Sequence, residues 1–217
     1  MHNIKIIILF AGLILFFSCH NSITIVDQES FYKYIEEPEN GLTVIKETKD
    51  IQLKLKYLPP EYLAFKDLKK SDEYLDVDSL IESYSHQLTF MLSLSSKQEG
   101  QTDIMFEGLS SYVEFKERLY SLNFEIEKHI SLNADSEVYK PVLTSFERLY
   151  GLKSGRDILF VFSPKTKNDK ALFESETLIF KYEDQDFETG ISRFKFERDA
   201  IDELHEYDLK RLIIPIN

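Results

Sequence analysis

Tryptophan is absent from this chain of 217 residues, and cysteine occurs once, at Cys19. A single thiol excludes an internal disulfide. Seven Gly and six Pro are too few for a fibrous repeat or a flexible low-complexity protein. Basic residues are short as well: 26 Lys and Arg stand against 38 Asp and Glu, a formal charge of 26 − 38 = −12. Nucleic-acid binding needs clustered Lys and Arg, so this balance argues against it. Beyond the first twenty residues no apolar run approaches membrane length. What remains is an ordinary globular composition, 43% hydrophobic and 29% charged, with 12 Tyr and 17 Phe. That is enough apolar material for a core without staples.

The one long apolar run lies at the start. Met1 to Lys5 is short and basic, Ile6 to Phe17 is apolar throughout, and Ser18-Cys19 follows. These are the parts of a secretory signal. Twelve residues in a helix span roughly 18 Å, against about 30 Å for a hydrocarbon core, so the run is too short for a comfortable membrane span.

Leu15-Phe16-Phe17-Ser18-Cys19 resembles the lipobox of bacterial lipoproteins, in which a small residue precedes the cysteine that carries the lipid. Phe16 and Phe17 depart from the usual Leu and smaller residue of that motif. The resemblance implies that Cys19 is acylated, with chains such as palmitate, and becomes the first mature residue once 1–18 are removed. The mature chain then has 217 − 18 = 199 residues and a charge of 25 − 38 = −13. Two or three acyl chains make a nearly permanent anchor, since each buried CH₂ contributes about 0.8 kcal/mol. His20 after the cysteine, in place of Asp, implies the outer membrane in a cell with two membranes, and the lack of acidic residues just beyond it implies the periplasmic face. Residues 19–27 form a tether of nine residues reaching at most about 32 Å. The domain therefore sits close to the bilayer. It spans 28–217, with a possible sub-boundary in the charged stretch 66–78.

Periodicity sets the expected elements. Phe31, Tyr34 and Ile35 mark a helix over about 28–36, before Pro38. Strands are expected at 42–47 and 51–57, the second with Ile51, Leu53, Leu55 and Tyr57 alternating with polar residues. Pro60 opens a short helix to Leu68. Ser79 with Glu82, and Ser111 with Glu114, read as capping boxes for helices over 80–87 and from 112, the latter with Tyr112, Phe115, Leu119 and Leu122 on one stripe. Leu88 to Leu94 alternates as a strand, and Ile104 and Phe106 suggest its partner. Phe124, Ile126, Ile130 and Leu132 read as another strand, with His129 sharing a polar face with Glu125 and Glu127. Ile158 to Phe162 reads as a central strand. Thr177 to Tyr182 and Ile191 to Phe196 form a hairpin, followed by a helix at 199–204 and a terminal strand at 212–216. The expected class is α+β, a mainly antiparallel sheet with several short helices.

Motifs for chemistry are sparse. Asp184, Asp186 and Glu188 are the candidate ligands for a hard cation, but Gly190 and Lys195 break the EF-hand pattern, and an acidic hairpin turn is the favoured reading. Asp76-Val77-Asp78 has the same two readings, with a helix start favoured. Ser30 and Lys33 have S-x-x-K spacing without its companion motifs, and Gly151 to Arg156 lacks the order of a phosphate loop. Tyr57, Tyr62 and Phe65 around Pro59-Pro60 are candidate binding residues, against the reading that they fill the core. No cofactor or resident metal is expected. The expected role is a non-catalytic binding module held near the membrane, with an envelope protein as partner. The alternatives are an envelope hydrolase using the loop carboxylates and a small-ligand-binding lipoprotein.

Overall fold

Asp27 starts the first described helix, in a computed structural model that describes residues 25–48, 50–70, 76–97, 103–146, 154–207 and 209–213. Cys19, the rest of the lipobox and most of the tether lie outside these residues. The Asp27 carboxylate accepts the Ser30 amide while the Ser30 hydroxyl accepts the Asp27 amide, a reciprocal cap for α1 (Gln28–Glu36). Ser30 and Lys33 thus have structural work: Lys33 pairs with Glu29 at 2.7 Å. Phe31, Tyr34 and Ile35 form the buried stripe. Gly41, at φ +76°, then turns the chain into β1 (Thr43–Glu47). A Cβ there would stand 2.7 Å from that of Ala200, so both the backbone angle and the close approach require glycine.

The next elements are β2 (Ile51–Leu58), α2 (Pro60–Lys70), α3 (Val77–Ser85) and β3 (Leu88–Ser96). α3 begins three residues before the expected start, because the Asp76 carboxylate accepts both the amide and the hydroxyl of Ser79 and is itself the cap. Ile104–Phe106 is a 3₁₀ turn, not a strand: Asp103 caps it through the Met105 amide, and both edges of β3 are taken by other strands. α4 (Tyr112–Phe124) starts at Ser111 as expected. It continues through Phe124, and a second 3₁₀ turn occupies Ile126–His129, so β4 is only Ile130–Ala134. His129 therefore lies on a turn, not on a strand face with Glu125 and Glu127.

β5 (Glu137–Tyr139), β6 (Leu143–Phe146), β7 (Arg156–Phe162), α5 (Ala171–Glu174), β8 (Thr177–Glu183), β9 (Ile191–Glu197) and α6 (Arg198–Asp202) complete the order. A 3₁₀ turn at Leu209–Ile213 takes the first two positions of the expected terminal strand, and 214–217 lie outside the described residues.

Among the described residues the strands form two sheets, β1-β2-β3-β7-β6 and β5-β4-β8-β9, and every pairing is antiparallel. The fold is α+β. The sheets meet through phenylalanine. Phe90 of β3 and Phe160 and Phe162 of β7 contact Phe180 of β8, and Phe90 also reaches Phe196 of β9, with centroids 5.2–5.9 Å apart. Tilted and edge-on rings of this kind fill a layer without tryptophan. β9 shows the cause most simply: Ser192, Phe194 and Phe196 are buried, while Ile191, Arg193, Lys195 and Glu197 face out.

Candidate functional site

The loop between β8 and β9 carries the acidic residues singled out as cation ligands, and hydrogen bonds within the chain occupy them. Asp184 accepts the amides of Asp186, Phe187 and Thr189, and the hydroxyls of Thr189 and Tyr182. Five donors on one carboxylate make it the organiser of the turn. Asp186 accepts the Ser121 hydroxyl of α4 at 2.9 Å. Burial pushes the Asp186 carboxyl up from its ordinary range, against the pull of that hydroxyl. Glu188 is exposed at φ +56°. The three share a loop but not a focus, and no group of three or more His, Cys, Asp or Glu suited to a metal occurs among the described residues.

The aromatic candidates separate. Tyr57 is buried against Phe90, and Phe65 against Phe31. Both are core, as odd positions on β2 and the inner stripe of α2 require. Tyr62 alone of the three is half-buried, edge-on to Tyr32 at 5.3 Å.

A surface that the sequence reading did not single out lies on α4. This helix has two apolar faces. Leu122 is buried and Phe115 and Leu119 are half-buried, as expected, but Tyr112 of the same predicted stripe is 70% exposed. Val113, Tyr120 and Phe124, spaced seven and four apart, align on the opposite side at 58%, 58% and 62% exposure. The exposed Phe106 stacks on Phe115 at 4.7 Å, and Tyr120 and Phe124 meet at 5.2 Å. The spacing of the outer stripe was readable as a second helical face. Glu114, Glu117 and Glu125 border it together with Lys116, Glu125 being paired with Lys128 at 2.8 Å, and an open depression of about 680 Å³ runs alongside toward Gln185 and Asp186. Arg118 fixes this helix to the acidic loop, donating to the backbone carbonyl of Asp186 at 2.6 Å. The result is an outward aromatic ridge bordered by charges of both signs.

No protein-family model matches the chain, and no curated protein matches it. Among solved structures, a protein of unknown function from Burkholderia pseudomallei is similar at 13% identity, over 83% of this chain and 94% of its own, with a TM-score of 0.39. A likeness that weak carries no argument about this chain.

Proposed function

We propose that the chain is a bacterial lipoprotein, anchored through acylated Cys19 at the periplasmic face of the outer membrane, whose folded part is a non-catalytic binding module. Its partner is an envelope protein that docks on the outer face of α4. The observation that supports this is the exposed stripe Val113, Tyr120 and Phe124 on a helix whose other side is already packed. Clustered aromatic exposure of this kind marks interaction surfaces in soluble folds. The border of that stripe carries both signs of charge, Glu114, Glu117 and Glu125 beside Lys116, so an apolar patch on the partner supplies the main contact. The carboxylate of Asp184, saturated by donors of its own loop, disfavours the hydrolase alternative.

Two measurements test the two halves. In a bacterial host, labelled palmitate is expected in the wild-type chain and not in Cys19→Ser; an unlabelled wild-type chain that still carries residues 1–18 overturns the anchor. A photo-cross-linking residue at position 120 is expected to join the anchored chain to one envelope protein, at a peptide rich in apolar residues. The same residue at position 195, on the exposed side of β9, is expected to give no such product. Cross-links to lipid alone at 120, or equal products at both positions, reject the docking face.

A further inference from the structure

The outer side of the five-stranded sheet differs from the rest of this acidic surface. Strand register places Lys54 of β2 opposite Ser93 of β3, and Ser93 opposite Asp157 of β7, so one row across three strands reads Lys, Ser, Asp. The row beside it reads Lys56, Met91 and Leu159, and on the other side Gln52 faces Ser95. Ser93 donates its hydroxyl to Asp157 at 2.5 Å. Glu36 at the end of α1, with Tyr62 and Lys66 of α2, walls this floor into an open groove of about 660 Å³. That is the size of a small-molecule site, roughly 300–1,000 Å³.

Lys56 is the informative residue. It lies on the outward side of β2, yet its side chain is only 4% exposed. Burying an ammonium is costly unless it is paired, and an aliphatic residue would cover the same strand without that cost. Leu58, two positions on, shows that this side accepts one. The Lys56 ammonium pairs with Glu36, and the same carboxylate takes Lys54 at 3.0 Å while remaining 45% exposed. Two ammonium groups thus converge on one carboxylate at the mouth of the groove, with Ser93, Ser95, Gln52 and Asp157 beyond them. A carboxylate of the chain itself occupies the position an anionic ligand would take.

We propose that this groove binds a small hydroxyl-rich carboxylate, a sugar acid, whose carboxylate replaces Glu36 on Lys54 and Lys56 and whose hydroxyls meet Ser93, Ser95 and Gln52. Tyr62, Met91 and Leu159 supply the apolar surface such a ring needs. The charged groups facing Lys56 are Glu36 from α1, Lys54 on its own strand, Asp157 from β7 and Lys66 from α2; the adjoining positions of β3 are uncharged. Burial lowers the Lys56 ammonium to about 8, with Asp157 opposing and Lys66 assisting. The ligand carboxylate takes over from Glu36 as the counter-ion of this ammonium.

The groove and the α4 face are separate, so either assignment survives failure of the other. Calorimetry on the full chain in neutral detergent, titrated with glucuronate, glucose and acetate, tests the groove. Glucuronate is expected to bind at least about tenfold more tightly than glucose or acetate, one good charge-assisted contact being worth that much. Glu36→Gln removes the internal competitor and is expected to tighten binding about tenfold, whereas Lys56→Met and the half-exposed Lys54→Gln are expected to weaken it at least that much. Acetate matching glucuronate rejects the sugar-acid assignment. Absent binding in a cooperatively melting Glu36→Gln protein, or weakening by Glu36→Gln in parallel with Lys54→Gln, overturns the site and leaves Glu36 as a structural partner only.

Discussion

Phe180→Ala is expected to destabilise the protein by about 3–5 kcal/mol, the range for deleting a fully buried aromatic ring. Phe180 lies on β8 with no exposed surface and touches Phe90, Phe160, Phe162 and Phe194 at centroid distances of 5.5–6.3 Å. Its neighbours come from three strands, two of them in the opposite sheet. The void cannot be filled by one side chain shifting, because the surrounding rings are held by different strands. For a domain of this length each kcal/mol moves the midpoint about 2–4 °C, so a fall of roughly 10 °C in thermal unfolding is expected. Phe124→Ala is the control: at 62% exposure it is expected to change stability by no more than about 0.5 kcal/mol. Equal effects from the two substitutions would mean that the sheets do not share a phenylalanine layer.

That layer was legible where a strand has one wet side. Gln52 and Lys54 alternate with Ile51, Leu53 and Leu55 on β2, and Arg193 and Lys195 with Phe194 and Phe196 on β9, so the period of two is plain. It failed where coincidence copied it. Phe124 and Ile126 stand two apart, but one ends a helix facing solvent and the other is buried under a 3₁₀ turn. β5 and β6 escaped notice because Val138 and Leu143, about half exposed on these short outer strands, do not alternate with polar residues as a core face does. The groove was hidden for a different reason. Lys54, Ser93 and Asp157 belong to three strands far apart in the chain, and only the register between strands places them in a row. Tyr57 and Phe65 fill the core, the alternative weighed beside a binding role, and their neighbour Tyr62 reaches the groove only because α2 folds back over the sheet.

The acidic loop shows how a distant residue decides what a local pattern means. Arg118, buried in α4, donates to the carbonyls of Met105 at 3.2 Å, Glu107 at 2.7 Å and Asp186 at 2.6 Å, and its guanidinium lies 4.5 Å over the Phe187 ring. One cation therefore ties the Ile104–Phe106 turn, α4 and the β8–β9 loop together. Burial lowers the guanidinium from its ordinary value, with Asp186 and Asp184 opposing, and its Nε has no acceptor among the described residues. Those costs offset part of the gain. Arg118→Met keeps the bulk and removes the donors, and is expected to destabilise by about 3 kcal/mol, since bonds to a charged group contribute about 1.5–3 kcal/mol each before the desolvation is returned. Urea unfolding measures that loss, and hydrogen exchange is expected to rise at the Phe187 and Thr189 amides as the loop loses its hold on α4. A cost under about 1 kcal/mol would show that the loop stands without the clamp. The same loop read as a cation site makes the opposite prediction: a divalent ion that binds only the folded state raises the melting temperature. Millimolar Ca²⁺ is expected to leave the wild-type midpoint unchanged, because the oxygens of Asp184 already hold five donors and give the ion nowhere to converge.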